Sequence, residues 1–156
     1  MRDTVSTSWR RLSDLSQKHA ASRRTRGGQR ILIVDDDIES STSLELMLNA
    51  SGYSETRVAY SGHAALAIAA EFRPFVVLLE LSLLDMSGYE VARLLRERAQ
   101  SHGLRLIALT SSRELAGREL ARVAGFERYL LKPVAALDLS GLLQEGDRDQ
   151  RSHPES

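Results

Sequence analysis

The chain has 156 residues, of which 42% are hydrophobic and 27% charged, and this suits one globular domain with a single core. It contains no cysteine, which excludes disulfides and thiolate metal sites and is typical of the reducing cytoplasm. The amino terminus lacks the apolar core of a signal peptide, and no apolar run approaches the roughly 18 residues of a membrane span. We expect a soluble cytoplasmic protein that makes no membrane contact.

A basic segment precedes the domain, although the net charge of the chain is zero. Residues 1–28 carry seven basic and two acidic side chains, are rich in Ser and Thr, and end on two glycines, which is typical of a flexible extension. Within it, Trp9, Leu12 and Leu15 recur every third residue and predict a short amphipathic helix over residues 8–18. A basic arm can bind nucleic acid, but a single aromatic residue and no recognition motif favour a solvated tail.

From residue 29 onward the sequence alternates strand and helix signals. Apolar runs predict five strands, at residues 31–34, 55–59, 75–79, 104–109 and 128–131. Periodic apolar residues with start and stop signals predict five helices, at residues 37–50, 61–72, 89–100, 112–124 and 135–144. Five strand and helix units with short connections imply a doubly wound parallel sheet over residues 29–144. Residues 145–156 are polar and predict a disordered tail.

The third predicted strand is the centre of the arrangement. Its five consecutive apolar residues, 75–79, show no polar alternation, as expected of a parallel strand that is covered on both faces. The run stops at one acid, Glu80, which therefore lies at the carboxyl end of a strand. Ligands and chemistry gather at this edge of open α/β sheets.

Polar residues follow three other predicted strands at the same edge: Asp35, Asp36 and Asp37 after the first, Thr110 and Ser111 after the fourth, and Lys132 and Pro133 after the fifth. Converging carboxylates repel one another unless a cation offsets them, and hard oxygen ligands suit Mg²⁺. A hydroxyl and an ammonium that face these acids are the donors that phosphoryl oxygens need. The pattern predicts a phosphoryl-transfer site with a carboxylate acceptor.

Two rival sites fit this edge poorly. A dinucleotide or P-loop site needs glycines after the first strand, and the turn over residues 34–38 is acidic and glycine-free. A hydrolase needs a Ser or Cys nucleophile beside a histidine. The four histidines fall away from the strand ends and are predicted to be surface residues: His19, His63, His102 and His153.

Four segments, in this order and on this fold, resemble the receiver domain of bacterial two-component response regulators: Val34–Asp37, Pro74–Glu90, Ala108–Ser111 and Tyr129–Pro133. The resemblance covers about residues 29–143 and implies a flavodoxin-like five-stranded sheet with five helices. It further implies a non-enzymatic module of phosphorelay signalling, with a sensor histidine kinase or a phosphotransfer protein as its partner.

The resemblance implies an Mg²⁺ site. Asp36 corresponds to the acid that holds the ion directly and Asp35 to the acid that holds it through water. The Ser82 backbone carbonyl corresponds to the third protein ligand, beside the acceptor carboxylate at Glu80. Asp37 is predicted to start a helix rather than to bind the ion.

The resemblance also implies the residues around the phosphoryl group. Thr110 corresponds to the hydroxyl that follows the group, Ser111 to the small residue that leaves room for it, and Lys132 to the lysine that pairs with a phosphoryl oxygen. Tyr129 corresponds to the aromatic switch residue that turns inward when Thr110 moves. Pro133 corresponds to a proline that is usually preceded by a cis bond.

The chain departs from the family at the phosphoacceptor, where Glu80 stands in place of Asp. One extra methylene moves the carboxylate by roughly 1.5 Å. A misplacement of about 1 Å can cost on the order of a hundredfold in rate, so phosphorylation is expected to be severely impaired. The longer arm carries its charge towards Thr110 and Lys132. Glu80 therefore either imitates the phosphorylated state in part or forms an inert ion pair with Lys132.

The loop after Glu80 carries two further departures. Asp85 is not a substitute acceptor, because residues 88–90 fix the register and place it inside the loop. Leu84 stands where the family usually has proline, which predicts a more mobile loop.

The function that we expect is a stand-alone receiver whose surface at residues 112–143 contacts partner proteins or a second copy. Residues 145–156 are too few and too polar for an output domain. Two alternatives remain: a small Mg²⁺-dependent phosphatase or transferase, which would need a lid that the sequence does not supply, and a phosphorylation-independent pseudo-receiver scaffold.

Overall fold

The computed structural model of the protein describes residues 29–99, 103–111 and 124–151, and only the backbone of residues 146–151. It has five strands, β1 Ile31–Val34, β2 Thr56–Ala59, β3 Val76–Glu80, β4 Arg105–Thr110 and β5 Arg128–Leu131. In the described ranges it has the helices α1 Ile38–Ala50, α2 Gly62–Phe72, α3 Gly88–Arg98 and α4 Ala136–Arg151. The predicted extension at 1–28, the helix within it and the helix at 112–124 lie outside the described residues, except for Ala124.

All five strands pair in parallel in one sheet of order β2-β1-β3-β4-β5. The doubly wound sheet is therefore confirmed. The strand order reverses after β1, so β3 lies at the centre with β1 on one side and β4 on the other. In the register, Leu79 pairs with both Val34 and Ala108, and Glu80 pairs with Leu109. This places the carboxyl end of β3 at the crevice between β1 and β4, where open sheets bind ligands.

The central strands are buried on both faces, which explains their unbroken apolar sequence. Because side chains alternate along a strand, β3 contributes Val77 and Leu79 to the core on one face and Val76 and Leu78 to the core on the other. The first core includes residues of α2 and α3, and the second includes residues of α1 and α4. Full burial of each such side chain contributes about 1.5 to 3 kcal/mol, so the two cores hold the strand ends in place.

The helices begin at side chains that accept hydrogen bonds from the first turn. Asp37 caps α1 by accepting from the Glu39 N–H at 3.0 Å, in line with its predicted role as a helix-start acid. Ser61 caps α2 by accepting from the Ala64 N–H at 3.0 Å. These caps satisfy donors that have no partner within the helix. They fix where each chain segment leaves the carboxyl edge of the sheet.

The last helix differs from the prediction. It runs to Arg151, so the predicted end at Gln144 is too early and residues 145–151 are helical instead of a disordered tail. Leu139 and Leu143 of this helix are buried against the sheet, and a packed first half lets later turns add one hydrogen bond per residue. The polar residues that follow are mostly good helix formers. None of the described helices is both long and apolar enough to cross a membrane.

Candidate functional site

A buried cluster of charged side chains lies at the carboxyl edge of the sheet. Asp35 follows β1, Glu80 ends β3 and Lys132 follows β5. The Lys132 Nζ lies 2.5 Å from the Asp35 Oδ2 and 2.7 Å from the Glu80 Oε2. The side chain of Lys132 is 17% exposed, that of Glu80 is 8% exposed, and Asp35 is fully buried. Two carboxylates therefore share one ammonium in an environment of low dielectric, where such contacts are strong.

The backbone around Lys132 fixes its position. Its N–H donates to the Thr110 carbonyl oxygen at 2.8 Å, which ties the end of β5 to the end of β4. The Lys132–Pro133 peptide bond is cis. Burial alone favours the neutral amine, but the bonds to Asp35 and Glu80 outweigh it and raise the pKa of Lys132 above its ordinary value. The lysine is therefore held as the charged form.

Carboxylate oxygens of Asp35, Glu80 and Asp36 also accept hydrogen bonds from backbone N–H groups. Asp35 Oδ1 accepts from the Asp37 N–H at 3.0 Å, and Glu80 Oε1 accepts from the Ser82 N–H at 3.2 Å. Asp36 Oδ2 accepts from the Leu84 N–H at 3.1 Å, a bond that joins the β1 end to the loop after β3. Buried carboxylates need such donors, because an unpaired buried charge is costly.

The predicted Mg²⁺ ligands lie at the ends of two adjacent strands, with Asp35 and Asp36 after β1, Glu80 at the end of β3 and Ser82 just after it. In the described part of the chain, no three acidic or histidine side chains are arranged to hold a metal ion. Asp35 and Glu80 face Lys132 instead, so the ammonium offsets the charge that a divalent cation would offset. The assignment of Asp35, Asp36, Glu80 and the Ser82 carbonyl as ligands stays a prediction.

The residues predicted to follow the phosphoryl group lie at the same edge. Thr110 ends β4 and is buried, whereas Ser111 is exposed. Tyr129, on β5, is partly buried and, like Tyr89, packs against the core on the α2 and α3 face of the sheet. Burial, with a smaller effect of Tyr129, raises the pKa of the Tyr89 hydroxyl. Imitation of the phosphorylated state predicts a largely buried Tyr129, and an inert Glu80–Lys132 ion pair predicts an exposed or mixed one. The switch role of Tyr129 stays a prediction.

Asp85, in the loop after β3, lies away from this cluster, and its side chain contacts the start of α2. Its carboxylate accepts from the Gly62 N–H at 2.9 Å and the His63 N–H at 3.0 Å, and it lies 2.6 Å from the His63 Nδ1. The His63 side chain is on the surface, as predicted. The Asp85 contacts were not predicted, because no local pattern links residues that are 22 and 23 positions apart.

Comparisons with known proteins show the family of this chain. A sequence model of the response regulator receiver domain matches residues 31–144. The chain is 35% identical over 111 residues to the DNA-binding response regulator MtrA of Mycolicibacterium paratuberculosis, and the match covers 71% of this chain and 48% of MtrA. The chain thus spans about half the length of this regulator.

Solved structures show the same fold. A CheY-like receiver domain protein from Methanospirillum hungatei JF-1 matches with a TM-score of 0.73 and 28% identity, over 80% of this chain and 98% of that chain. The co-crystal structure of the Saccharomyces cerevisiae phosphotransfer protein Ypd1 with the receiver domain of Ssk1 matches with a TM-score of 0.69 and 26% identity, over 75% of this chain and 87% of that chain. The sheet order, the charged cluster at its carboxyl edge and these matches together establish that the chain belongs to the response regulator receiver domains of two-component signalling.

Proposed function

We propose that this receiver domain signals independently of phosphorylation at its acceptor position. The observation that carries the proposal is the buried contact of 2.7 Å between the Glu80 Oε2 and the Lys132 Nζ. By resemblance, Lys132 is the lysine that pairs with a phosphoryl oxygen. In this chain, the Glu80 carboxylate already pairs with that lysine.

Both Glu80 oxygens are engaged, which impairs their use as nucleophiles. Oε2 lies on Lys132, and Oε1 accepts from the Ser82 N–H at 3.2 Å. An attacking oxygen would have to leave one of these partners inside a pocket where Glu80 is 6% exposed. The extra methylene adds a displacement of roughly 1.5 Å relative to Asp. Because about 1 Å can cost on the order of a hundredfold in rate, the two effects together support negligible phosphorylation.

The charges support a fixed state more than a full imitation of phosphorylation. A phosphoryl group carries about 1.5 to 2 negative charges and three acceptor oxygens. Glu80 carries one charge on two oxygens, and Asp35 shares the same ammonium. Tyr129 is partly buried, and this supports an inert ion pair more than imitation of the phosphorylated state. The proposed role is that of a pseudo-receiver that presents one surface to its partner.

Exposed apolar side chains at the carboxyl edge support output through protein contact. Four large apolar residues are exposed near the starts of helices or in loops after strands: Ile38, Tyr60, Leu84 and Leu137. Exposed apolar groups can be buried favourably in a protein interface. The Ssk1 receiver domain was crystallised with the phosphotransfer protein Ypd1. We propose that a histidine kinase or phosphotransfer protein contacts this edge of the chain, and that a downstream protein contacts the surface of β5 and α4.

A comparison of the wild-type protein with Glu80→Asp tests the proposal. Both proteins are incubated with a small-molecule phosphodonor and MgCl₂, and intact mass is measured with time. We expect phosphate uptake by Glu80→Asp and negligible uptake by the wild type. Glu80→Asp with Asp85→Asn is the matched control and should keep the uptake. If the wild type takes up phosphate as readily as Glu80→Asp, the proposal is wrong and another acid, such as Asp85, is the acceptor.

A further inference from the structure

The loop between β3 and α3, residues 81–87, is tied to two neighbouring elements. On one side, Asp85 accepts two backbone hydrogen bonds from the start of α2, from Gly62 and His63, and pairs with the His63 ring. On the other side, the N–H of the preceding residue, Leu84, donates to Asp36 at 3.1 Å. Two consecutive loop residues thus reach in different directions. The loop bridges α2 and the acids that follow β1.

The base of the loop is also closed. Ser82 and Ser87 form an antiparallel bridge, and the Gly88 N–H donates to the Leu81 carbonyl oxygen at 3.0 Å. Met86 packs so closely on α2 that a Cβ at Gly62 would lie 2.3 Å from its Cγ. Contacts therefore hold the base, the tip and one flank of the loop, and the greater mobility expected from Leu84 stays a prediction.

The negative charge of Asp85 is favourable at the start of α2. A helix start presents unpaired N–H groups and a partial positive charge, and a carboxylate is favoured there. The backbone bonds from Gly62 and His63 hold the pKa of Asp85 far below its ordinary range, so the carboxylate stays ionised at neutral and mildly acidic pH. Ser61 already caps α2 through the Ala64 N–H. Asp85 therefore takes up separate donors and adds a link between two elements instead of supplying the cap.

The Leu84 side chain, in the middle of this loop, is exposed to solvent. This apolar residue is 94% exposed, so it gains no stability from burial in either core. The Leu84 N–H donates to Asp36, and the next residue, Asp85, is held on α2, so the backbone next to this side chain is tied to two elements.

We propose that Asp85 is a positioning residue that fixes the β3–α3 loop on α2, keeps the Leu84 N–H on Asp36 and keeps the Leu84 side chain exposed at the carboxyl edge. The direct contact is with α2, and the effect reaches the charged cluster through the loop backbone. The proposal does not depend on whether Glu80 can be phosphorylated, because all contacts in it exist in the wild-type protein.

Amide hydrogen exchange by NMR on the full chain tests this role. In Asp85→Ala we expect the Gly62 and His63 amides to lose protection. We also expect the Leu84 amide, which Asp85 does not touch, to exchange on the order of tenfold faster, as loss of charge-assisted hydrogen bonds implies. A merely local contact would move the first two amides and leave the Leu84 amide unchanged.

Three further variants sharpen the test. Asp85→Asn keeps the shape and one acceptor oxygen, so its effect on the Leu84 amide should be smaller and in the same direction. His63→Ala removes the ring contact but neither backbone bond, so Leu84 should remain close to wild type. Asp138→Asn alters an exposed acid in the first turn of α4 and should change none of these amides. Wild-type exchange at Leu84 in both Asp85 variants, while Gly62 and His63 lose protection, would overturn the proposal.

Discussion

Removal of the Lys132 charge is the strongest single perturbation that the site offers. In Lys132→Met, the apolar stem is kept and the ammonium is lost. Asp35 is fully buried and Glu80 nearly so, and both contact the Nζ within 2.7 Å. The substitution therefore leaves two close carboxylates in the interior with no cation between them.

The magnitude follows from burial. Breaking a buried ion pair by removing one partner costs about 3 to 5 kcal/mol, because the other charge stays unpaired. We expect the lower end of this range, about 3 kcal/mol, since the Lys132 side chain retains 17% exposure and water can reach the vacated space. In the second variant, Lys132→Met with Glu80→Gln, one of the stranded charges is absent. This double variant should regain more than about 1 kcal/mol relative to the single one.

Urea denaturation of four proteins measures both effects: wild type, Lys132→Met, Glu80→Gln and the double variant. Arg93→Ala is the control, because Arg93 pairs with Glu90 and Glu97 on the surface of α3, and we expect a far smaller change in its midpoint. Equal midpoints for wild type and Lys132→Met would refute the reasoning. So would additive effects of the two substitutions in the cycle, because additivity would mean that Glu80 and Lys132 do not interact.

Three other predictions concern two glycine positions and the pH dependence of stability. In Gly88→Ala, the new Cβ would lie 2.5 Å from the Glu80 carbonyl oxygen and 2.7 Å from the Leu81 Cα. Since these are backbone atoms, which cannot move aside easily, we expect the free energy of unfolding, measured by thermal denaturation, to fall by about 1 to 3 kcal/mol. Gly141→Ala lies in α4 with open space around the new Cβ, and it should instead raise the free energy of unfolding by about 0.5 to 1 kcal/mol. The third prediction concerns pH. The pKa of Lys132 is raised above 10.5, so its contribution should be complete at neutral pH and lost as alkaline pH passes the folded value. When the pH is raised from neutral to alkaline, the denaturation midpoint should fall less for Lys132→Met than for the wild type. Equal falls in the two proteins would contradict the raised pKa of Lys132.

Much of the fold is predictable from the sequence because its signals are local. β1 and β5 have the predicted bounds, and the other strands differ from prediction by a residue or so at their ends. The capping residues Asp37 and Ser61 lie next to the helices that they start, so their role depends on neighbours only a few positions away. The carboxyl edge that collects the polar residues also follows, because parallel strands all end on the same side.

The end of α4 was not predictable in this way. Its polar second half has no apolar period to indicate a helix, and it continues because Leu139 and Leu143 anchor the first half on the sheet. Packing of one segment thus decided the conformation of the next.

The sequence by itself determined which residues reach the carboxyl edge of the sheet: Glu80 after the third strand, the acids after the first and Lys132 after the fifth. Only the tertiary structure decided how they pair. Lys132 lies 97 positions from Asp35, and its shared contact with Asp35 and Glu80 depends on the order β1-β3-β4-β5 and on the direction of each side chain at its strand end. The attachment of Asp85 to α2 was decided in the same way. Charged groups choose among several partners according to distance and burial, and these quantities exist only once the elements have packed together.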